Sequence, residues 1–121
     1  MYPVLEIYPG KIKNNAEIIS NLCHENAISV TGVTKGANNI AEVVKAVVAG
    51  GVDYIGDSRI NRFKEIRKIN SDIPLMLLRI PSFSELKEVI KYADISLNSE
   101  MKIIKALNDE AKKQNKKHKI V

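Results

Sequence analysis

The sequence has few of the residues that cross-link a chain or bind metals. Its 121 residues include one cysteine, Cys23, two histidines and no tryptophan. One cysteine excludes an internal disulfide framework and is typical of a reducing cytoplasm. His24 and His118 have no partner at metal-ligand spacing, so we expect no metal site.

Long apolar runs and targeting segments are missing as well. No apolar stretch approaches the ~20 residues that span a bilayer. The N-terminus also lacks the basic region followed by an apolar region that marks a signal peptide. With 45% apolar and 27% charged residues, the chain has the composition of one globular domain. We therefore expect a cytoplasmic protein with no membrane partner.

Aromatic residues are scarce, at 5% of the chain, and the net charge is only +5. Much of that charge comes from five C-terminal lysines: Lys112, Lys113, Lys116, Lys117 and Lys119. Such a cluster either binds nucleic acid or forms a solvated helix end, where cations complement the helix dipole. Because no aromatic residue lies among these lysines, we favour the helix end and expect no nucleic-acid partner.

What the sequence does have is a regular alternation of strand-like and helix-like segments. After an extended start at residues 3–7, strands are predicted at residues 28–34, 54–56, 74–78 and 95–97, and another begins at 118–121. Helices are predicted at residues 11–25, 40–49 and 58–69. Two more helices follow, one opened by a capping box of Ser82 and Glu85 and one capped by Asn98 or Ser99.

Two of these helices have clear apolar stripes. We expect the first helix to turn inward Ile12, Ala16, Ile19, Leu22 and Cys23. We expect the last helix to turn inward Met101, Ile104, Leu107 and Ala111.

The spacing of the predicted strands points to parallel βα units. Strand centres recur every ~20–25 residues, the length of a strand, a helix and two short loops. Such units build either a (β/α) barrel or a doubly wound sheet. Gly32 and Gly36 form no GxGxxG pattern, which argues against a dinucleotide site of the doubly wound class. The chain supplies four complete units and the start of a fifth strand, whereas a barrel has eight, so we expect an incomplete barrel.

Lys35 is the residue most informative about function. It ends the run ISVTGVTK, where a buried strand gives way to the loop GANN. Ligands of α/β proteins bind at the C-terminal ends of parallel strands. An amine held there can act as a nucleophile toward carbonyls. The residues alone leave a second interpretation open, in which Lys35 is a solvent-facing lysine at a strand end.

Five groups of residues, taken in order, resemble one family. They are LEI with NNA in the helix that follows, then VTGVTK, YIGDSRI, LLRIP and SLNSE, at residues 5–7, 14–16, 30–35, 54–60, 77–81 and 96–100. Together they resemble the N-terminal barrel of the fold-type III pyridoxal-phosphate enzymes, the alanine racemase family, and within it the alanine/ornithine racemase branch. The resemblance covers essentially the whole chain, which is expected to be the N-terminal part of such a (β/α)8 barrel, of the TIM-barrel type.

The resemblance implies a function and a cofactor. Lys35 would form the internal aldimine with pyridoxal 5′-phosphate, and the substrate would be an amino acid. The cofactor stabilises the carbanion formed at the α-carbon, and Lys35 would act as one of the two acid–base groups that racemisation requires. The complete protein would be a homodimer.

The chain also departs from the family pattern. The family's second base, a tyrosine from a C-terminal β-domain, its cofactor-phosphate site and the arginine at the pyridine nitrogen would lie beyond Val121. We therefore expect the chain to be inactive alone. The loop GANN lacks the tyrosine that alanine racemases carry a few residues after the lysine, which favours the ornithine-like branch.

Polar and charged residues follow three further predicted strands. Arg79 is a candidate to bind a substrate carboxylate through a bidentate fork; the alternative is an ion pair with Asp57 or Glu85. Asn98 is a second candidate for substrate binding, although helix capping is favoured. For the group Asp57, Ser58 and Arg59 we also favour helix capping, by Asp57 or Ser58, over contact with a ligand.

Two other functions remain open. One is a non-catalytic pyridoxal-phosphate-binding protein of the single-barrel type, which buffers the cofactor. A β-domain after the barrel would distinguish the racemase from it, and the start at LEI favours the racemase, because in that branch this strand joins the second domain. The other is that the chain is a fragment with no function of its own.

Overall fold

A computed structural model describes residues 2–121, and a parallel sheet of five strands lies at its centre. The strands are β1 (Thr31–Val33), β2 (Tyr54–Asp57), β3 (Leu75–Leu77), β4 (Ile95–Ser96) and β5 (Lys119–Ile120). The helices are α1 (Pro9–His24), α2 (Ala41–Ala49), α3 (Phe63–Ile69), α4 (Leu86–Tyr92) and α5 (Met101–Lys113). Short 3₁₀ turns precede α2, α3 and α4, at Lys35–Ala37, Ile60–Arg62 and Phe83–Glu85.

The order of the strands identifies the architecture. Each strand pairs in parallel with the next one in sequence, so that Gly32 lies beside Ile55, and Leu77 beside Ser96. A doubly wound sheet reverses its order at a switch point, whereas this sheet progresses in one direction, as a (β/α) barrel does. The predicted fold class, a part of a barrel with four βα units and a fifth strand, is confirmed.

The apolar core lies between the sheet and its helices. Ile55 of β2 and Leu75 and Leu77 of β3 are completely buried there. From the helices, Phe63 and Val89 pack against them, also completely buried. Each such side chain stabilises the fold by about 1.5–3 kcal/mol. This layer holds the strands, and therefore their C-terminal ends, in a fixed relation.

Helix α1 packs differently from the prediction. Ile19 and Leu22 are 54% and 61% exposed, and the residue that α1 buries is Ser20. The helix approaches the end of α2 so closely that a Cβ on Gly50 would lie 2.4 Å from the Ala16 Cβ. Small residues therefore make this contact, and the predicted inward positions of Ile19 and Leu22 are wrong.

Smaller differences concern element ends and the last helix. The strand predicted at 28–34 is limited to Thr31–Val33, and the helix predicted at 58–69 begins as the turn Ile60–Arg62 before α3. Met101 is 64% exposed rather than inward, while Ile103 takes its place in the core. Within residues 2–121, no helix has both the length and the apolar character needed to cross a membrane.

Candidate active site

The C-terminal ends of the strands form one rim of the sheet, because all five strands are parallel. Lys35 lies just after β1, Asp57 ends β2, Arg79 follows β3 and Asn98 follows β4. The structure thus places every predicted site residue on the rim where barrel proteins bind their ligands.

Lys35 begins the turn Lys35–Ala37, and one residue, Thr34, separates it from the end of β1. Its side chain is exposed. The ion pairs found in residues 2–121 do not involve it. A Cβ added to Gly36 would meet nothing within 4 Å, so there is open space beside the amine-bearing residue.

The alternation of side chains along β1 distinguishes the two faces of the sheet next to the Lys35 turn. A Cβ on Gly32 would lie 2.4 Å from Val47 Cγ1, so Gly32 faces helix α2. Thr31 faces the other side of the sheet, where its hydroxyl lies 3.8 Å from the sulfur of Met76. Val33 has the same parity as Thr31 and is 52% exposed, so the face of β1 that a complete barrel encloses is open next to the Lys35 turn.

A buried polar network lies beside the Lys35 turn. The Thr34 hydroxyl donates to Asn39 Oδ1 (2.6 Å), and Asn39 Nδ2 donates to Asp57 Oδ2 (2.6 Å). Arg59 completes the network with its backbone N–H and Nε on Asp57 Oδ1 (2.9 and 3.2 Å) and Nη2 on Oδ2 (3.2 Å). The network links the residue before Lys35 to the end of the neighbouring strand.

Asp57 is charged although its side chain is completely buried. Burial alone would raise its pKa, but the hydrogen bonds from Arg59 and Asn39 outweigh burial and hold the pKa below its usual value. The predicted capping role of Asp57 or Ser58 is wrong, since the turn Ile60–Arg62 has no side-chain cap. The carboxylate instead joins two strand ends.

Arg79 is held by an ion pair, which was one of the two predicted alternatives. Its Nη1 and Nη2 donate to the two carboxylate oxygens of Glu85 (2.9 and 2.5 Å). Its Nε donates to the Ser58 carbonyl (2.6 Å) and Nη1 also to the Ile80 carbonyl (3.2 Å). The fork that was expected for a substrate carboxylate is therefore occupied by Glu85.

Glu85 has a second role at the start of helix α4. Its Oε2 accepts hydrogen bonds from the Ser82 N–H (3.0 Å) and hydroxyl (2.8 Å), and the predicted capping box is present. The hydrogen bonds from Arg79, with those from Ser82, lower the pKa of Glu85 from 4.5 to about 2. The pair thus fastens the loop after β3 to the next helix.

The Asn98 side chain forms hydrogen bonds to the end of the strand that precedes it, β4. Its Nδ2 donates to the Ser96 carbonyl and Oγ (2.9 and 3.0 Å). Within the described chain, its Oδ1 is buried without a partner. The predicted cap by Asn98 or Ser99 is wrong: α5 begins after Glu100 and has no side-chain cap. Contact of Asn98 with a substrate stays a prediction.

His118 supports Asn98 indirectly, through the Ser96 hydroxyl that lies between them. Burial lowers the pKa of His118, opposed in part by its bond to the Ala93 carbonyl and by Asp94. A carbonyl only accepts, so the neutral ring donates from Nδ1 to Ala93 (3.3 Å). Its Nε2 then accepts from the Ser96 hydroxyl (2.7 Å), which leaves Ser96 Oγ to accept from Asn98.

Thr34 and Asn39 were not predicted as site residues, and Arg59 was named only with Asp57 and Ser58, for which helix capping was favoured over contact with a ligand. One signal was available in the sequence, the pair Asn38 and Asn39 after the turn. In the structure both have left-handed φ angles, 49° and 55°, which asparagine is among the few residues to tolerate.

No group of three or more histidine, cysteine, aspartate or glutamate residues able to hold a metal ion occurs in residues 2–121.

The sequence comparisons agree with this geometry. A family model described as the alanine racemase N-terminal domain matches residues 7–121. The ornithine racemase of Acetoanaerobium sticklandii is 40% identical over 121 residues, which are 100% of this chain and 34% of that protein. The lysine racemase of Thermotoga maritima is 28% identical, with the same coverage of 100% and 34%. The chain thus spans about a third of the length of these curated relatives.

Solved structures show the same fold. The alanine racemase of Clostridium difficile 630 superposes with a TM-score of 0.74 and 21% identity, covering 91% of this chain and 30% of that chain. PipY of Synechococcus elongatus PCC7942, solved with PLP bound, has a TM-score of 0.71 and 16% identity, covering 87% of this chain and 51% of that one.

The fold and the rim together define a β/α-barrel protein that presents a lysine immediately after its first strand. The match over residues 7–121 then gives the family: the chain belongs to the alanine racemase N-terminal domain family. The predicted family is confirmed, and membership supports pyridoxal 5′-phosphate as the cofactor. The rim fits that cofactor, since it offers an exposed amine at Lys35 beside open space at Gly36.

Proposed function

We propose that the protein to which this chain belongs is a pyridoxal-phosphate-dependent amino-acid racemase, and that Lys35 holds the cofactor. The observation that carries the proposal is the exposed Lys35 on the ligand-binding rim of a chain that belongs to the alanine racemase family. Relatives named ornithine and lysine racemases point to an amino acid with a basic side chain as the substrate.

The chemistry divides between the cofactor and the chain. Pyridoxal phosphate, when bound, draws electrons away from the substrate α-carbon and so makes its proton removable. Lys35 Nζ would hold the cofactor through its aldehyde carbon. The same amine would hold or move the α-proton on one face of the substrate, and a second acid–base group would serve the other face.

The rest of the site follows from the rim. Asn98 follows β4 on the same rim, and its Oδ1 is buried without a hydrogen-bond partner in the described chain, so we keep Asn98 as a candidate contact of the substrate. Arg79 is less suited to the substrate carboxylate than we expected, because Glu85 fills its fork. A homodimer in the cytoplasm is the assembly and location that we propose for the complete protein, on the strength of the family and of the single cysteine.

The test uses the protein as its native gene encodes it. Incubated with pyridoxal 5′-phosphate and L-ornithine, it should form D-ornithine, measured by chiral chromatography, and the Lys35→Ala variant should form none. Turnover of alanine but not of ornithine or lysine would contradict the basic substrate. Tight cofactor binding without turnover of any of the three amino acids would instead support the cofactor-buffering alternative and refute the racemase.

A further inference from the structure

Lys35 is exposed, but two buried residues flank it in sequence, Thr34 before it and Asn39 four positions after it, and hydrogen bonds hold both in place. Thr34 and Asn39 are 2% and 7% exposed. They are joined twice: the Asn39 N–H donates to the Thr34 carbonyl (3.1 Å), and the Thr34 hydroxyl donates to Asn39 Oδ1 (2.6 Å). The Ala37 N–H donates to the same carbonyl (3.1 Å). Lys35 therefore extends from a loop whose two ends, Thr34 and Asn39, are joined by hydrogen bonds.

Asp57 anchors this loop to β2. Four donors reach its two carboxylate oxygens, one from Asn39 and three from Arg59. An amide at position 57 would have one accepting oxygen for these four donors, and its NH₂ group would face another donor. The network therefore requires a carboxylate, and the carboxylate sets the orientation of the Asn39 amide that holds Thr34.

We propose that Asp57, acting through Asn39 and Thr34, is a positioning residue for the Lys35 amine. The proposal rests on the function proposed above, in which Lys35 bonds the cofactor and moves the α-proton. A reacting group displaced by about 1 Å can slow a reaction about 10²-fold. The network limits such displacement, because it fixes both ends of the turn from which Lys35 extends.

The first test compares two variants of the network with a matched control in the complete protein. Asp57→Asn removes the carboxylate, and Thr34→Val removes the hydroxyl while keeping the shape. The control, Asp94→Asn, breaks a similar arginine pair at the other ends of the strands, where Asp94 accepts from Arg67 Nη2 (2.5 Å) and from the Leu75 N–H (2.7 Å).

We expect kcat for ornithine to fall about 10²-fold in both network variants with KM changed less than about threefold. Asp94→Asn should leave kcat within about threefold of the parent, because no hydrogen bond joins it to the loop. Thr34→Ser keeps the hydroxyl donor and should recover most of the rate lost in Thr34→Val. A purely structural role for Asp57 would lower the amount of folded enzyme without changing kcat per folded site.

The second test needs neither cofactor nor substrate. Amide hydrogen exchange in the cofactor-free protein should be about tenfold or more faster at Ala37 and Asn39 in Thr34→Val, since both amides depend on the Thr34 carbonyl staying in place. Exchange at Leu97, whose N–H donates to the Leu77 carbonyl across the sheet (3.1 Å), should stay unchanged as the reference for global stability.

The outcomes separate this inference from the proposed function. If Lys35→Ala is inactive while Asp57→Asn and Thr34→Val keep the parent kcat, the positioning role is overturned and the racemase stands. If Lys35→Ala keeps the parent turnover, the proposed function fails and the positioning inference fails with it. If Asp57→Asn does not fold, Thr34→Val with its Thr34→Ser partner decides alone.

Discussion

Two cations on the same rim, Lys35 and Arg79, have opposite surroundings. Arg79 donates to both oxygens of Glu85 and to two carbonyls, so its donors are used within the fold. Lys35 takes part in none of the ion pairs of residues 2–121, yet the turn that carries it is locked by buried hydrogen bonds. We infer from the comparison that Arg79, whose donors are used, stabilises the rim, while Lys35, exposed on a turn that hydrogen bonds hold, is the cation suited to chemistry.

Replacing the amine of Lys35 by another cationic group should give the largest loss of activity that we expect. Lys35→Arg keeps the positive charge but replaces the amine by a guanidinium that neither condenses with an aldehyde nor loses its proton. Racemisation by the complete protein should fall by at least about 10²–10⁴-fold, the range that proton transfer alone contributes. The unfolding free energy, from urea titration, should change by less than about 0.5 kcal/mol. Unchanged turnover would break the comparison.

The converse change at Arg79 should act on stability. Arg79→Met removes the guanidinium from Glu85 and also from the Ser58 and Ile80 carbonyls, and the loss of these charged hydrogen bonds together should lower the unfolding free energy by about 1.5–3 kcal/mol. Urea titration measures this, with Lys68→Met, which breaks only the exposed pair with Glu65 (3.6 Å), as the control. A variant as stable as the parent but unable to bind substrate would show that Arg79 belongs with Lys35.

The pH dependence of stability is a second test of the Arg79–Glu85 ion pair. Because Arg79 and Ser82 lower the pKa of Glu85 from 4.5 to about 2, its stabilising contribution is present above pH 4.5 and is lost as the pH falls toward 2. For a partly exposed pair we expect about 1 kcal/mol after screening. Asp57 acts in the same direction. Thermal unfolding of Arg79→Met between pH 5 and pH 2 should show a smaller loss than the parent; an equal loss would contradict the assignment.

The smallest effect concerns the shape of the Lys35 turn. Asn38 has a left-handed φ of 49°. Asn38→Ala should therefore destabilise by up to about 1 kcal/mol, whereas Asn38→Gly should be near neutral, because glycine adopts this conformation without steric cost. Differential scanning calorimetry of the two variants compares them directly. Equal melting temperatures would show that the turn does not depend on this backbone conformation.

The parallel βα units and the place of Lys35 were predictable because both depend on local patterns, whereas the choice of a barrel over a doubly wound sheet came from the resemblance to the family. Apolar runs at regular spacing define parallel strands, and a charged residue that ends such a run must lie on the rim. The buried link from Thr34 through Asn39 to Asp57 was not predictable, since it requires a left-handed turn to bring side chains 18 and 5 positions apart into contact. Strand order alone does not determine that contact.

One alternative that the sequence left open and one wrong prediction have a similar origin. The choice of Glu85 rather than Asp57 as the partner of Arg79 depends on how helix α4 starts, and the capping box turns the Glu85 carboxylate toward the loop. The stripe of α1 predicts an apolar face, but periodicity does not tell which residues meet a neighbouring helix. Contact with Gly50 selects Ala16 and leaves Leu22 exposed.

Reductive trapping tests the central claim most directly. The complete protein, loaded with pyridoxal 5′-phosphate, is reduced with borohydride and digested, and the modified peptide is sequenced by mass spectrometry. We predict a single stoichiometric pyridoxyl group on Lys35 Nζ. Modification of another lysine with Lys35 left unlabelled would contradict the account.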